Sequence, residues 1–147
     1  MSATVQIKFS GGGNFRAQLL ESEAPETCAS FWEALPFEGK ILHGSFTGLT
    51  LFFFVEFAVA KVENPYVTGA RPGCLLLNTY ANKGLFEGKT LHEEIILPYS
   101  TTGIFWNWGG MLPSNHFAQI QDSLDKLYTV GRRLKEHGAE IISLSKL

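Results

Sequence analysis

The sequence predicts a mainly β protein, a closed antiparallel β-barrel plugged by two helices, and three observations carry that reading. Several short segments alternate apolar and polar residues, one early and one late stretch have helical period, and a last strand returns after the second helix. Val5, Ile7 and Phe9 alternate with polar neighbours, Gly11-Gly12-Gly13-Asn14 interrupts them, and Phe15, Ala17 and Leu19 alternate again, which is a β-hairpin. A triple glycine also suits a phosphate cradle, but such loops open a helix, and here a strand follows.

Ala24-Pro25-Glu26-Thr27 opens a helix with proline and an acid in its first turn; Cys28, Phe31, Trp32 and Leu35 recur at helical spacing, and Pro36 ends it. From Lys40 to Phe57 the pattern is extended. Ile41, His43, Ser45 and Thr47 share one face, Gly48 permits a turn or bulge, and Leu49 to Phe54 is too apolar to be exposed on both sides. The prolines, glycines and asparagine of Asn64 to Gly73 read as a loop before a short strand, Cys74 to Leu77. A second loop follows around Asn82-Lys83-Gly84, then a strand from Glu93 to Tyr99. Thr101 to Ser114, with Gly103, Trp106, Trp108, Gly109 and Gly110, fits no regular element, and ordered loops of that length are often functional. Ile120, Leu124, Leu127 and Leu134 mark the longest helix, expected near 116–137 with Ser114 or Asn115 as cap, Gly138 as stop, and Ile120, Leu124 and Leu127 turned inward. A strand from Ala139 to Leu144 closes the chain.

A length of 147 residues suits a single domain, 1–147, and 45% hydrophobic with 18% charged residues is a globular composition. The net charge of −2, with its one dense cationic cluster (Arg132, Arg133, Lys135) on an outer helix face, argues against nucleic acid as a partner. The longest apolar run, Leu51 to Ala60, is broken by Glu56 and holds ten residues, about half of what a bilayer crossing needs, so no membrane partner is expected. Met1 to Val5 runs into the first strand without a charged leader and apolar stretch, which predicts no secretory signal and a cytoplasmic address. Cys28 and Cys74 share no paired spacing and read as buried thiols. A small-molecule substrate is the expected partner; association into a homo-oligomer is left open.

Glu21-Ser22-Glu23-Ala24-Pro25-Glu26-Thr27-Cys28-Ala29-Ser30-Phe31, following the hairpin, resembles the cyclophilin opening, in which a strand leads into an A/V-P-x-T-x-x-x-F helix. Arg71-Pro72-Gly73-Cys74-Leu75-Leu76 and Pro113-Ser114-Asn115-His116-Phe117-Ala118 are similar to segments of a cyclophilin-like family of small bacterial proteins, and the resemblance covers nearly the whole chain. It implies the barrel fold. Prolyl isomerisation does not follow, because the catalytic F-H-R stretch is replaced by Leu42-His43-Gly44-Ser45-Phe46, no arginine lies between Arg16 and Arg71, and the Q-F-F strand is missing. The resemblance implies instead a repurposed barrel, since the family includes opine synthases of the cucumopine and mikimopine type. These Pictet-Spenglerases condense histidine with 2-oxoglutarate. A metabolite- or peptide-binding module without catalysis, and a hydrolase or isomerase of small cyclic amides, are the alternatives.

Such a condensation needs loss of water from a carbinolamine, an electron-rich ring held against the imine, and a base for the ring proton. No cofactor is called for, and no metal, because His92-Glu93-Glu94 is not a two-histidine helical motif. Glu94, flanked by Ile95-Ile96-Leu97, is the first candidate for acid/base work; the competing reading has Glu93 and Glu94 marking a solvated strand end. His116, with Asn115 beside it at the expected helix start, could meet an anionic substrate or merely hydrogen-bond the loop. His43 lies in a polar stripe that could line the pocket or hold a structural histidine. Tyr99 offers a hydroxyl, Trp106 and Trp108 offer flat surfaces for stacking, and Arg71 offers a bidentate grip on a carboxylate unless it is a solvated loop arginine. Glu94, His116, Tyr99 and a tryptophan of the 101–114 loop are expected to face one pocket.

Overall fold

In the hairpin, β1 (Thr4–Phe9) and β2 (Asn14–Leu19) pair antiparallel with Ile7 opposite Phe15. Val5, Ile7, Phe9, Phe15, Ala17 and Leu19 are all buried while their neighbours face water, as a period of two requires of a half-buried strand. The glycines form the turn: Gly12 and Gly13 take φ of 113° and 117°, open to glycine at no steric cost, and the Phe9 amide donates to the Gly13 carbonyl at 3.1 Å. This computed structural model describes residues 3–44, 48–57, 59, 61–66, 71–78, 93–102, 106–107, 110–111 and 114–147.

Helix α1 (Pro25–Ala34) starts on proline, which needs no hydrogen-bond partner at that position, and buries Thr27, Cys28 and Phe31. The strands β3 (Phe37–His43), β4 (Gly48–Val55), β5 (Pro65–Tyr66), β6 (Cys74–Asn78) and β7 (Glu93–Thr102) follow. Next come a small ribbon, β8 (Trp106–Asn107) with β9 (Gly110–Met111), then β10 (Ser114–Ile120), helix α2 (Leu124–His137) and β11 (Glu140–Lys146). The main sheet runs β2-β1-β11-β3-β4-β7-β6-β10, and β10 pairs back onto β2, so eight antiparallel strands close into a barrel with β5 added at the edge of β10. Closure leaves no open row of backbone groups between these strands. Phe31 of α1 and Leu127, Val130 and Leu134 of α2 join the interior cluster from the two helices.

Three expectations are corrected. The helix expected near 116–137 begins only at Leu124, because Ser114–Ile120 is recruited as β10 by hydrogen bonds to β6 and β2. Asn115 and His116 are therefore strand residues, and Ser123 holds the cap position. Leu124 faces outward at 40% exposure, since the helix presents Leu127, Val130, Gly131 and Leu134 to the barrel. Thr101 to Ser114 is also more regular than its composition suggests: β7 runs on to Thr102, and β8 and β9 lie within the segment. Gly138, at φ 95°, does end α2, its amide donating to the Leu134 carbonyl at 2.8 Å. Both cysteines are buried free thiols; burial, and then the carboxylate of Glu21, pushes the Cys28 thiol up to about 12. Among the described residues no helix is long and apolar enough to cross a membrane.

Gly131 lets α2 settle on the barrel, for a methyl group there would lie 2.3–2.4 Å from the ring of Tyr99. Alanine in place of an interior helix glycine ordinarily stabilises by about 1 kcal/mol. Here Gly131→Ala is expected to destabilise by roughly 1–3 kcal/mol through overpacking, measured by urea denaturation. A gain in stability would show that α2 does not press on Tyr99.

Candidate functional site

Alternation along β7 sends Glu93, Ile95, Leu97 and Tyr99 to one side and Glu94 and Ile96 to the other. Ile95, Leu97 and Tyr99 belong to the barrel interior, whereas Ile96 joins Cys74, Leu76 and Phe52 in a second cluster on the outer face. The registers of β4, β7, β6 and β10 set out that outer face in rows. Phe54, Glu94 and Asn78 form one row, which Ser114 completes, because Asn115 pairs with Leu77 and the Ser114 hydroxyl donates to Asn78 Oδ1. Phe52, Ile96, Leu76 and His116 form the next.

The first row holds a directed carboxylate. Asn78 Nδ2 donates to Glu94 Oε1 at 3.0 Å, and the Ser114 hydroxyl fixes the other end of that amide. Asn78 and Ser114 are buried while Glu94 is half-buried, so the acid is anchored from beneath and reachable from above. In the second row His116 is half-buried; burial lowers its pKa against the opposing hydrogen bonds of the Ala118 backbone and Gln119, which favours the neutral ring. A bulge between His116 and Ala118 turns Phe117 and Ala118 to the core and leaves His116 and Gln119 outside.

Tyr99 lies elsewhere. Five residues from Glu94 along β7, it is roughly 17 Å away at ~3.3 Å per residue and on the opposite face, so the single pocket expected for Glu94, His116 and Tyr99 does not form. Tyr99 is buried under α2, with Tyr128 edge-on at 5.7 Å, and its hydroxyl donates to His43 Nε2 at 2.7 Å. His43 Nδ1 lies 2.7 Å from the Gly44 carbonyl, which can only accept, so the proton sits on Nδ1. Burial, then the cations Lys135 and Arg132, lowers the His43 pKa, and burial raises that of Tyr99.

Asn115 is buried and faces inward. It donates to Thr27 Oγ1 and accepts from the amides of Glu63 at 3.3 Å and Asn64 at 2.9 Å, so its groups are spent on joining the 63–64 loop to α1. Sequence reasoning missed Glu63, whose carboxylate accepts from the Glu26 and Thr27 amides at 3.0 and 2.7 Å and caps α1. Burial raises the Glu63 pKa, but these bonds outweigh it and leave the group low. No local pattern announces a cap that arrives from another loop. Arg71 is exposed in its loop, its carbonyl accepting from the Cys74 amide at 3.3 Å. Trp106 falls in β8 by its backbone, its side chain lying outside the described residues together with the whole of Trp108. Among the described residues no group of three or more His, Cys, Asp or Glu side chains could hold a metal ion.

A closed eight-stranded antiparallel barrel with two helices is a cyclophilin-like fold, and the solved structures it matches agree. Over 96% of this chain it superposes on 44% of McbB in complex with tryptophan, at a TM-score of 0.74 and 13% identity, so the chain spans less than half of that protein. A hypothetical protein from Archaeoglobus fulgidus matches at a TM-score of 0.59 and 19% identity over 99% of this chain and 95% of its own. A cyclophilin-type peptidyl-prolyl cis-trans isomerase from Cryptosporidium parvum matches at 0.58 and 15% over 100% and 98%. The likeness is one of fold. The chain belongs to the DUF3830 family, described as a protein of unknown function, whose model matches residues 7–146. No curated protein matches it in sequence.

The histidines carry a pH expectation. Both His43 and His116 titrate below the ordinary midpoint of ~6.5, so between that midpoint and their folded values the unfolded chain binds protons that the folded chain does not. Stability is then full above ~6.5 and falls as pH drops toward the folded midpoints. Urea melts at two pH values, one on either side of the ordinary midpoint, are expected to show the acid loss, and His43→Gln to reduce it. Equal stability at both pH values would contradict the buried, neutral assignment.

Proposed function

We propose that the protein is a small-molecule enzyme that runs a cofactor-independent Pictet-Spengler-type condensation of an amino acid with an oxo acid or aldehyde, with Glu94 as its acid/base group. The observation that carries this reading is the half-buried Glu94 carboxylate held by Asn78, itself fixed by the Ser114 hydroxyl, on a face that also bears Phe52, Phe54 and His116. The substrate amine adds to the carbonyl, and the carbinolamine loses water with a proton supplied by the acid. The ring carbon then attacks the iminium carbon, forming the new C–C bond, and its proton passes to the carboxylate as aromaticity returns. One water leaves for each product formed.

The hydrogen bond from Asn78 fixes the direction of the carboxylate, which general-base geometry requires before any matching of pKa. His116, kept neutral by burial, stands in the neighbouring row and is suited to relay a proton there. Arg71 is the proposed grip for the substrate carboxylate, and Trp106 and Trp108 remain the proposed stacking surfaces. The tryptophan held by McbB supports an aromatic amino acid as the amine component. Tyr99 and His43 take no part in this chemistry, because they lie under α2 on the other face.

Wild type incubated with histidine plus 2-oxoglutarate, and separately with tryptophan plus an aldehyde, is expected to give a product weighing the sum of the reactants less one water, followed by mass spectrometry. Glu94→Gln keeps the shape and removes the base, so turnover is expected to fall on the order of 10²–10⁴-fold with affinity largely retained. Absence of product from wild type rejects the reaction; equal product from both proteins rejects the role of Glu94. A standard proline cis/trans assay is expected to show no acceleration, because the arginine of the isomerase signature is absent. Appreciable turnover there would replace the proposal with prolyl isomerisation.

A further inference from the structure

At the rim of the barrel, beside the C-terminal end of α1, lies a cavity of about 330 Å³. The rings of Phe37, Phe54 and Phe57 wall it, Glu38 and Glu56 are its charged groups, and no basic side chain lines it among the described residues. The walls are preformed: Phe37 and Phe57 stand edge-on to buried Phe31 at 6.0 and 6.1 Å, and Phe54 edge-on to Phe52 at 5.8 Å. Phe54 keeps 51% of its surface exposed, so an occupant of the cavity would bury more of its ring. Glu94 is its cross-strand partner, so a third carboxylate stands one strand away.

Apolar walls and a field of one sign restrict the occupant. A bare metal cation wants a shell of oxygen ligands that phenyl rings cannot supply. An anion meets only carboxylates, and a neutral apolar molecule gains burial but nothing from the charge. An organic cation gains both, since its stem covers the rings while its charge meets the carboxylates and the ring faces. We infer that this cavity is a binding site for a small organic monocation, a primary ammonium on an apolar stem, seated with the stem against Phe37, Phe54 and Phe57 and the ammonium between Glu38 and Glu56. Occupancy requires no turnover at Glu94, so the site stands or falls independently of the condensation.

The probe is n-hexylammonium, compared with 1-hexanol and hexanoate by titration of the amide NMR spectrum. The ammonium is expected to shift the amides of 37–38 and 54–57 saturably, with the alcohol and the carboxylate weaker by about tenfold or more, the step that 1.4 kcal/mol produces. Affinity for the ammonium is expected to drop several-fold when salt is raised to ~1 M, where the Debye length is about 3 Å. The double variant E38Q/E56Q is expected to lose at least as much affinity as the alcohol comparison shows. Equal binding of ammonium and alcohol, salt-independent binding, or shifts centred elsewhere would overturn the assignment. Should the variant fail to fold, the three-probe comparison and the salt series on wild type decide the matter unaided.

Discussion

Three residues of β10, Ala118 to Ile120, pair with Leu19 to Ala17 of β2, and that short seam turns a long sheet into a barrel. Every other feature leans on it. Without the seam, β2 and β10 would each present unpaired backbone groups, and the interior shared by α1 and α2 would lose its walls. The seam also demands the bulge at Phe117, since the strand must meet β6 through His116 and then turn Ala118 inward where β2 arrives. Phe117 thereby reaches Phe31 of α1, ring to ring at 5.0 Å, and the closure of the barrel and the seating of the first helix become one event.

Polar side chains finish what the sheet begins. Asn115, Thr27 and Glu63 join β10, α1 and the 63–64 loop through a chain of hydrogen bonds in which the buried Asn115 and Thr27 both find partners, which offsets the cost of desolvating them. A cap of this kind stabilises by about 1 kcal/mol, and it also fixes where the loop runs. At the other end Glu140 takes the guanidinium of Arg133 at 2.6 Å and the Gly11 amide at 2.9 Å, tying α2 and β11 to the first hairpin turn. A side chain at Gly11 would meet the Glu140 carboxylate at 2.7 Å and Arg133 Nε at 2.8 Å, so it would have to displace that ion pair.

Separating the two groups of titratable residues has a chemical consequence. His43 and Tyr99 are desolvated, joined to each other and pressed by Gly131 and Tyr128, which suits a rigid support for α2. Glu94 and His116 sit on the outer face, both half-buried, over a sheet whose inner surface is packed core. A site on strands whose inner surfaces are a packed core is held more firmly than one on loops alone, and general-base geometry depends on that firmness.

Local chemistry made part of this legible. Alternation marked the hairpin, and apolar runs marked β4 and β7; the proline and the helical spacing of Cys28 and Phe31 marked α1; Gly138 marked the end of α2; and Glu94 stood out as an acid in an apolar strand. The sequence could not place the start of α2, because Ile120 and Leu124 satisfy a helical period whether or not Ile120 is in the helix, and only pairing with β2 and β6 makes it a strand. Nor could it say which candidates share a pocket. A period of two sends Glu94 and Tyr99 to opposite faces, yet which face each residue occupies, that Ser114 holds Asn78 against Glu94, and that Glu63 caps a helix 36 residues away follow from strand register and barrel closure. The sequence by itself determined the hairpin, the first helix, the core strands and the end of the second helix, whose propensities and spacings are local; tertiary structure decided β10 and the neighbours of every element, because contacts between distant segments exist only once the sheet has closed.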